Sequence, residues 1–280
     1  MAGSARLLEL GDLSLRGRGA AIVGEHGALV RLLLQQASLE GGSLQIGGQE
    51  PRAALRSGAL GLCRATLEWD PSWTVESALD ASASLAGAPQ GAARRTLNAL
   101  RLGPRRTVRI ERLTPLERRL LTLAAALVTE PRVVLLERPF STLEDAAAEL
   151  FETVLTAQLA KRSWIALLDL DGPWERRLCE RADAGVVVVR AGHALGPFQA
   201  ADWLGEADVF LVRTTGADDA LVSSLRDTAG AAVSRGSAPN TLVVRGLSGR
   251  AIAELTARAG VALRELTPLG HGHRGSPQAG

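Results

Sequence analysis

The sequence predicts an α/β fold with a largely parallel sheet, followed by a small ferredoxin-like α+β domain. Three observations predict it. Short apolar, β-branched strands alternate with amphipathic helices over the first two thirds of the chain. A strand, a glycine turn and a leucine-rich helix follow one another between residues 20 and 36, the layout of a phosphate-binding loop. From residue 208 to 266 the order becomes β-α-β-β-α-β, the ferredoxin-like arrangement.

Each element has a local reason. Leu7–Leu15 alternates apolar and polar residues and reads as one strand. Ala20–Val23 is a short apolar strand broken by Gly24-Glu25-His26-Gly27, and Ala28–Gln36 is helical. Ser43–Ile46 and Ala59–Cys63 read as strands separated by Gly/Pro turns. Thr74–Gly103 is helical with an interruption at Gly87–Gly91. The clearest helix is Pro115–Val128. Thr114 and Glu117 form an S/T-x-x-E capping box before it, and Pro115 takes the first helical position. Arg132–Leu136 is a buried strand. Ser141 and Glu144 form a second capping box ahead of a helix ending near Leu159. Trp164–Leu170 and Ala184–Val189 complete the strands of the first domain.

After a connecting stretch, Gly196–Gly205, come strand Asp208–Thr214, helix Asp218–Ala229, strands Ala231–Ser234 and Thr241–Arg245, helix Ser248–Ala259 and strand Val261–Leu266. The final GHGHRGSPQAG is small and polar and is expected to be disordered, with His271 and His273 inert. The expected organisation is a domain over 1–195 with a helical subdomain near 74–128, a linker over 196–205, a ferredoxin-like domain over 206–268 and a tail over 269–280.

Composition excludes several classes. The 280 residues carry a net charge of +2 with acids and bases mixed, which argues against nucleic acid as a partner. The two cysteines, Cys63 and Cys179, form neither a disulfide framework nor a metal-ligand spacing and fit a reducing cytoplasm. The N-terminal residues carry acids and lack the apolar run of a signal peptide, and no stretch approaches the roughly 20 apolar residues of a membrane helix. Lysine occurs once, at Lys161, and tyrosine not at all.

Several segments, in order, resemble the ATP-binding subunits of ABC transporters. GGSLQIGGQEPR resembles the strand-turn segment after the first helix. LTPLERRLLTLAAALVTEPRVVLLERPFSTLED resembles the signature helix, Walker B strand and D-loop, and LCERADAGVVVVRAGHAL the strands closing the domain. The resemblance spans about Leu7–Leu195. The appended domain, ending VALRELTP, resembles the C-terminal extension of subunits that drive exporter permeases. The resemblance implies a P-loop NTPase-like core with a helical subdomain.

It also implies which positions would hold nucleotide, and the residues there depart from the family pattern. The phosphate loop reads Gly24-Glu25-His26-Gly27-Ala28-Leu29-Val30-Arg31. Leu29 stands for the last glycine, Val30 for the lysine and Arg31 for the magnesium-binding hydroxyl. Arginine one position along is no equivalent of a lysine point charge. The Walker B strand ends Glu137-Arg138 instead of Asp-Glu; Arg138 cannot accept a proton and is expected to pair with Glu137 or Glu144. The signature becomes Leu113-Thr114-Pro115-Leu116-Glu117, in which Pro115 lacks an N–H and Glu117 sets a carboxylate where an anion should bind. Ala65 takes the Q-loop glutamine's place and Leu170 the switch histidine's.

The resemblance with these departures implies a non-hydrolysing subunit, with no catalytic residue, no metal site, and ATP and magnesium bound at most weakly. Its expected partners are an integral-membrane permease, another ABC ATPase subunit, or both, with dimerisation possible, at the inner face of the membrane. The alternatives are a weakly nucleotide-binding subunit that works with an active partner, and a free-standing regulator on a borrowed fold. Family permeases dock beside the segment after the Q-loop, here Ala65 to Trp73. Trp69 is the expected partner contact; Trp73 is the expected core residue, with a contact role also open.

Overall fold

The computed structural model describes residues 6–10, 13–24, 27–33, 43–66, 69–169, 172–190, 193–204, 208–216, 219–235 and 240–270. The chain divides into two compact units, Met1–Val186 and Val187–Gly280.

In the first unit, β1 (Arg6–Leu10) and β2 (Leu13–Arg16) pair antiparallel, Leu10 opposite Leu13. The single strand expected over Leu7–Leu15 is therefore a hairpin. Its alternation survives because the two arms keep one apolar face, with Leu8 and Leu15 both buried. Gly11 and Asp12, between the two arms, lie outside the described residues. Then come β3 (Gly19–Gly24), α1 (Gly27–Leu33) and β4 (Leu44–Ile46), which completes a three-stranded sheet of order β2-β1-β4. A short helix, α2 (Pro51–Arg56), occupies what reads in sequence as a Gly/Pro turn: Pro51 starts it, where a missing N–H costs nothing.

β5 (Leu60–Cys63) precedes three helices, α3 (Val75–Leu85), α4 (Ala92–Ala99) and α5 (Pro115–Leu127). Then follow β6 (Val133–Glu137), α6 (Asp145–Leu159), β7 (Ser163–Leu168), α7 (Pro173–Glu180) and β8 (Gly185–Arg190). With β9 (His193–Phe198), the central sheet has the order β5-β6-β7-β3-β8-β9. The pairs β5/β6, β6/β7 and β3/β7 are parallel. Their residues, from Ile22 to Val134 and Ile165, are nearly all buried, as strands covered on both faces require.

The unit boundary falls within β8. The stretch 196–205, expected to be a connection, holds the end of β9 and a five-residue helix, α8 (Ala200–Leu204). The second unit continues with β10 (Val209–Thr214), α9 (Asp219–Arg226), β11 (Ala232–Arg235), β12 (Thr241–Arg245), α10 (Gly249–Arg258) and β13 (Leu263–Gly270). Its four strands form an antiparallel sheet of order β11-β12-β10-β13. Val212, Leu221, Leu225, Leu242, Val244 and Ile252 make its core. The tail 271–280, with both its histidines, lies outside the described residues.

One close approach fixes how the helices meet the sheet. A Cβ at Gly61 in β5 would stand 1.9 Å from the carbonyl oxygen of Ala126 in α5. Glycine there lets α5 lie against β5, which sets Arg64 and Ala65 beside the first half of that helix. Gly61→Ala would strike backbone, which cannot swing aside. It should lower stability by roughly 1–3 kcal/mol or more, measured by urea unfolding.

Candidate functional site

The carboxyl ends of parallel strands are where α/β sheets gather ligands. Here β3, β5, β6 and β7 deliver four short segments to that edge. β3 ends at Gly24, whose φ of +97° suits only glycine. Glu25 and His26 lie outside the described residues, as does the side chain of Ala28. Gly27 opens α1 and is exposed. Leu29 and Val30 are turned inward, 3% and 9% exposed, and Arg31 faces solvent.

Glu137, the last residue of β6, is occupied from the side. Its Oε2 accepts the Ala65 N–H at 3.2 Å and lies 3.8 Å from Arg64 Nε. Arg138 follows with a left-handed backbone, φ +45°, and its N–H donates to the Leu167 carbonyl at 3.0 Å. That turn aims its side chain along the end of β7, where Nε stands 2.5 Å from Asp169 Oδ2. The partner is thus Asp169, not Glu137 or Glu144. Leu170 lies outside the described residues.

Arg119 on α5 joins these segments, and sequence reasoning passed over it. It is 4% exposed. Nη1 donates to the Arg64 carbonyl at 2.9 Å; Nη2 donates to the Ser141 carbonyl at 2.9 Å and Oγ at 2.7 Å. Burial pushes its pKa down, opposed by Cys63 and Glu137. The signal was available: position 119 falls in the apolar stripe of Leu116, Leu120 and Leu123, where an arginine must find internal partners. Arg119 also explains why Ser141 caps nothing. The cap of α6 is Glu144, without a side-chain bond, and Ser141 faces the guanidinium. Cys63, fully buried beside this network, has its thiol pushed up by desolvation to about 11, so it is no nucleophile.

At the start of α5 the capping box is complete. Thr114 Oγ1 accepts the Glu117 N–H at 3.2 Å, and Glu117 Oε2 accepts the Thr114 N–H at 2.9 Å. Glu117 Oε1 also takes Arg105 Nε at 2.6 Å. Leu113 is buried, Leu116 half-buried, and Pro115 supplies no N–H. Burial pushes the Glu117 carboxyl up, but the Thr114 and Arg105 donors outweigh it and hold the group below its ordinary range.

A cavity of about 390 Å³ opens between this helix start and the loop after β5. It is lined by Ala65, Thr66, Pro115, Arg118, Arg119 and Thr122, among others. A larger cavity, about 580 Å³, lies at the opposite, amino-terminal edge of the strands, against Gly47, Leu60, Val133 and Ser163, remote from every residue above. Beyond the loop, Trp69 is half-buried. Trp73 is 42% exposed, which corrects its placement in the core. The Asp70–Ser72 turn and the Thr74 cap of α3 fix the backbone around it, and Val75 and Ile110, on either side of its backbone contacts, are the buried residues there. Among the described residues no cluster of His, Cys, Asp and Glu has the makings of a metal site, and no helix is long and apolar enough to cross a membrane.

The fold has known counterparts. An ATP-binding subunit of an ABC transporter superposes with a TM-score of 0.57 at 16% identity, covering 70% of this chain and 91% of its own. The ADP conformation of an ATP-binding cassette gives 0.55 at 13% identity, covering 69% and 89%. A nucleotide-free cassette gives 0.53 at 13%, with the same coverages. No protein-family model matches the sequence, and no curated protein matches it. The chain therefore has the ATP-binding cassette fold, at identities that speak for the fold alone.

Two substitutions test the site's local chemistry. Thr114→Ala should cost about 0.5–2 kcal/mol of stability through the lost cap. A carboxyl with a lowered folded pKa stabilises above its unfolded pKa and loses that contribution as pH falls through the folded value. Glu117→Gln should therefore destabilise clearly near pH 7 and much less near pH 3, read by urea unfolding at both.

Proposed function

We propose that this chain is a non-hydrolysing member of the ABC ATP-binding subunits, acting as a scaffold or regulatory subunit for a membrane permease or an active ABC partner. The observation that carries the reading is the pairing of the site's charges with one another. Glu137 is taken by Ala65 and Arg64, and Arg138 by Asp169.

The side chains do not suit a magnesium-nucleotide. A buried valine stands where a phosphate-bridging lysine is needed, and the chain's only lysine is Lys161. No carboxylate follows Glu137 to polarise a water. At α5 the helix end that would meet a phosphate carries the Glu117 carboxylate instead. Each nucleotide site in an ABC dimer joins the Walker motifs of one subunit to the signature of the other, so a chain lacking both completes neither. The segment 206–268 fits this reading as a ferredoxin-like extension of the kind found on exporter subunits.

The partner surface in this reading is the groove beside Ala65 and Thr66 together with Trp69. The protein is cytoplasmic and reaches the inner face of the membrane through its partner. Two outcomes are expected. Millimolar Mg-ATP should leave the melting temperature unchanged, since a ligand selective for the folded state stabilises by RT ln(1 + [L]/Kd). A magnesium-dependent rise would instead favour the subunit that keeps weak nucleotide binding. Trp69→Ala should weaken capture of the membrane partner by roughly 2 kcal/mol with an unchanged circular dichroism spectrum. Undiminished capture by the folded variant removes Trp69 from the interface.

A further inference from the structure

The helical subdomain carries a charge feature that the functional reading leaves unused. Between residues 92 and 112 lie seven of the chain's 32 basic residues, all arginine, and one of its 30 acidic residues. That stretch holds a net charge of +6, and the remaining residues together hold −4. All seven arginines are exposed.

Two of them mark the two ends of α5. Arg95, in α4, lies 4.0 Å from Glu130, just past the carboxyl end of α5, and Arg105 pairs with Glu117 in its first turn. α5 has 13 residues, so the band extends about 20 Å. Arg109 is paired with its neighbour Glu111. Arg94, Arg101, Arg106 and Arg112 have no side-chain partner among the described residues. Two large apolar side chains flank the band. Trp73 is 42% exposed, and its carbonyl accepts the Ile110 N–H between Arg109 and Arg112. Leu85, 90% exposed, ends α3 just before the loop that leads into α4 and Arg94.

We infer that this arginine band, with Trp73 and Leu85 beside it, is a docking surface for anionic phospholipid headgroups. A guanidinium pairs bidentately with phosphate, which suits arginine over lysine. An exposed tryptophan among cations is the composition of an interfacial membrane contact, its ring seated at headgroup depth. The remaining residues carry the opposite net charge, so the band is the part of the chain that an anionic surface attracts. Its arginines are accompanied by two exposed large apolar side chains, which favours a lipid surface over an acidic peptide. The inference rests on the peripheral membrane placement proposed above, but needs neither permease nor nucleotide.

The test is co-sedimentation of the full chain with vesicles of phosphatidylcholine alone and of phosphatidylcholine and phosphatidylglycerol in equal parts. The chain should bind the mixed vesicles, release them as salt is raised, and ignore the neutral ones. The variant Arg94→Gln/Arg101→Gln/Arg106→Gln/Arg112→Gln changes only exposed, unpaired side chains. It should keep its circular dichroism and lose affinity by roughly fivefold per arginine, several hundredfold in all. Trp73 fluorescence, isolated by comparison with Trp73→Phe, should shift to the blue on binding. No binding to mixed vesicles, or equal binding by the quadruple variant, overturns the inference. Binding to polyglutamate or RNA with none to vesicles overturns it in favour of that class of partner. Permease capture by a chain that ignores vesicles sinks the lipid surface alone; vesicle binding without capture sinks the proposed function alone.

Discussion

A buried guanidinium organises the carboxyl edge of the sheet. Arg119 cannot shed its charge, and inside the protein that charge must be met by acceptors or cost several kcal/mol. It is met by two backbone carbonyls and a hydroxyl, at Arg64 and Ser141. Those acceptors belong to the loops after β5 and β6, so one side chain of the helical subdomain ties two loops of the sheet. Glu137 adds a bond from the end of β6 to Ala65, and Arg138 adds another to Asp169 beyond β7. Three strand ends and one helix are thereby connected by the chain's own side chains. Gly61 is the geometric condition for this, since α5 reaches the site only by lying against β5.

Much of the architecture was legible because hydrophobic period and turn chemistry agree over long segments. The α5 capping box, with Thr114, Pro115 and Glu117, was readable to the atom, because a cap depends on four consecutive residues and little else. The α2 helix was hidden by the same residues that start it: Pro51 after a glycine pair looks like a turn until a helix is known to follow. Ser141 had the spacing of a cap, yet a long-range arginine claimed it first. A local motif predicts local structure only when nothing distant competes for its atoms.

The geometry of the site was not legible in sequence. The letters, read beside the resemblance, drew attention to Val30 and Arg138 but left their surroundings open. Arg138's choice of Asp169 did not, because it depends on a left-handed backbone at that residue and on the parallel register that sets Glu137 beside Leu167. Trp73 was expected in the core with a contact role left open, and its exposure is decided by the turn at Asp70 and the cap at Thr74. The arginine band escaped notice because a whole-chain charge near zero averages two opposite regions. A sliding count over twenty residues exposes it at once.

The inward position of Val30 has a bearing on which substitutions α1 tolerates. A lysine placed there would carry its ammonium into an interior position that is 9% exposed. An unpaired buried charge costs several kcal/mol, a large share of what a domain has in hand. A charged side chain at position 30 would therefore be among the more damaging substitutions in α1. Packing of this kind acts as a ratchet: once an apolar side chain fills an interior position, drift exchanges it for another apolar side chain far more readily than for a charged one.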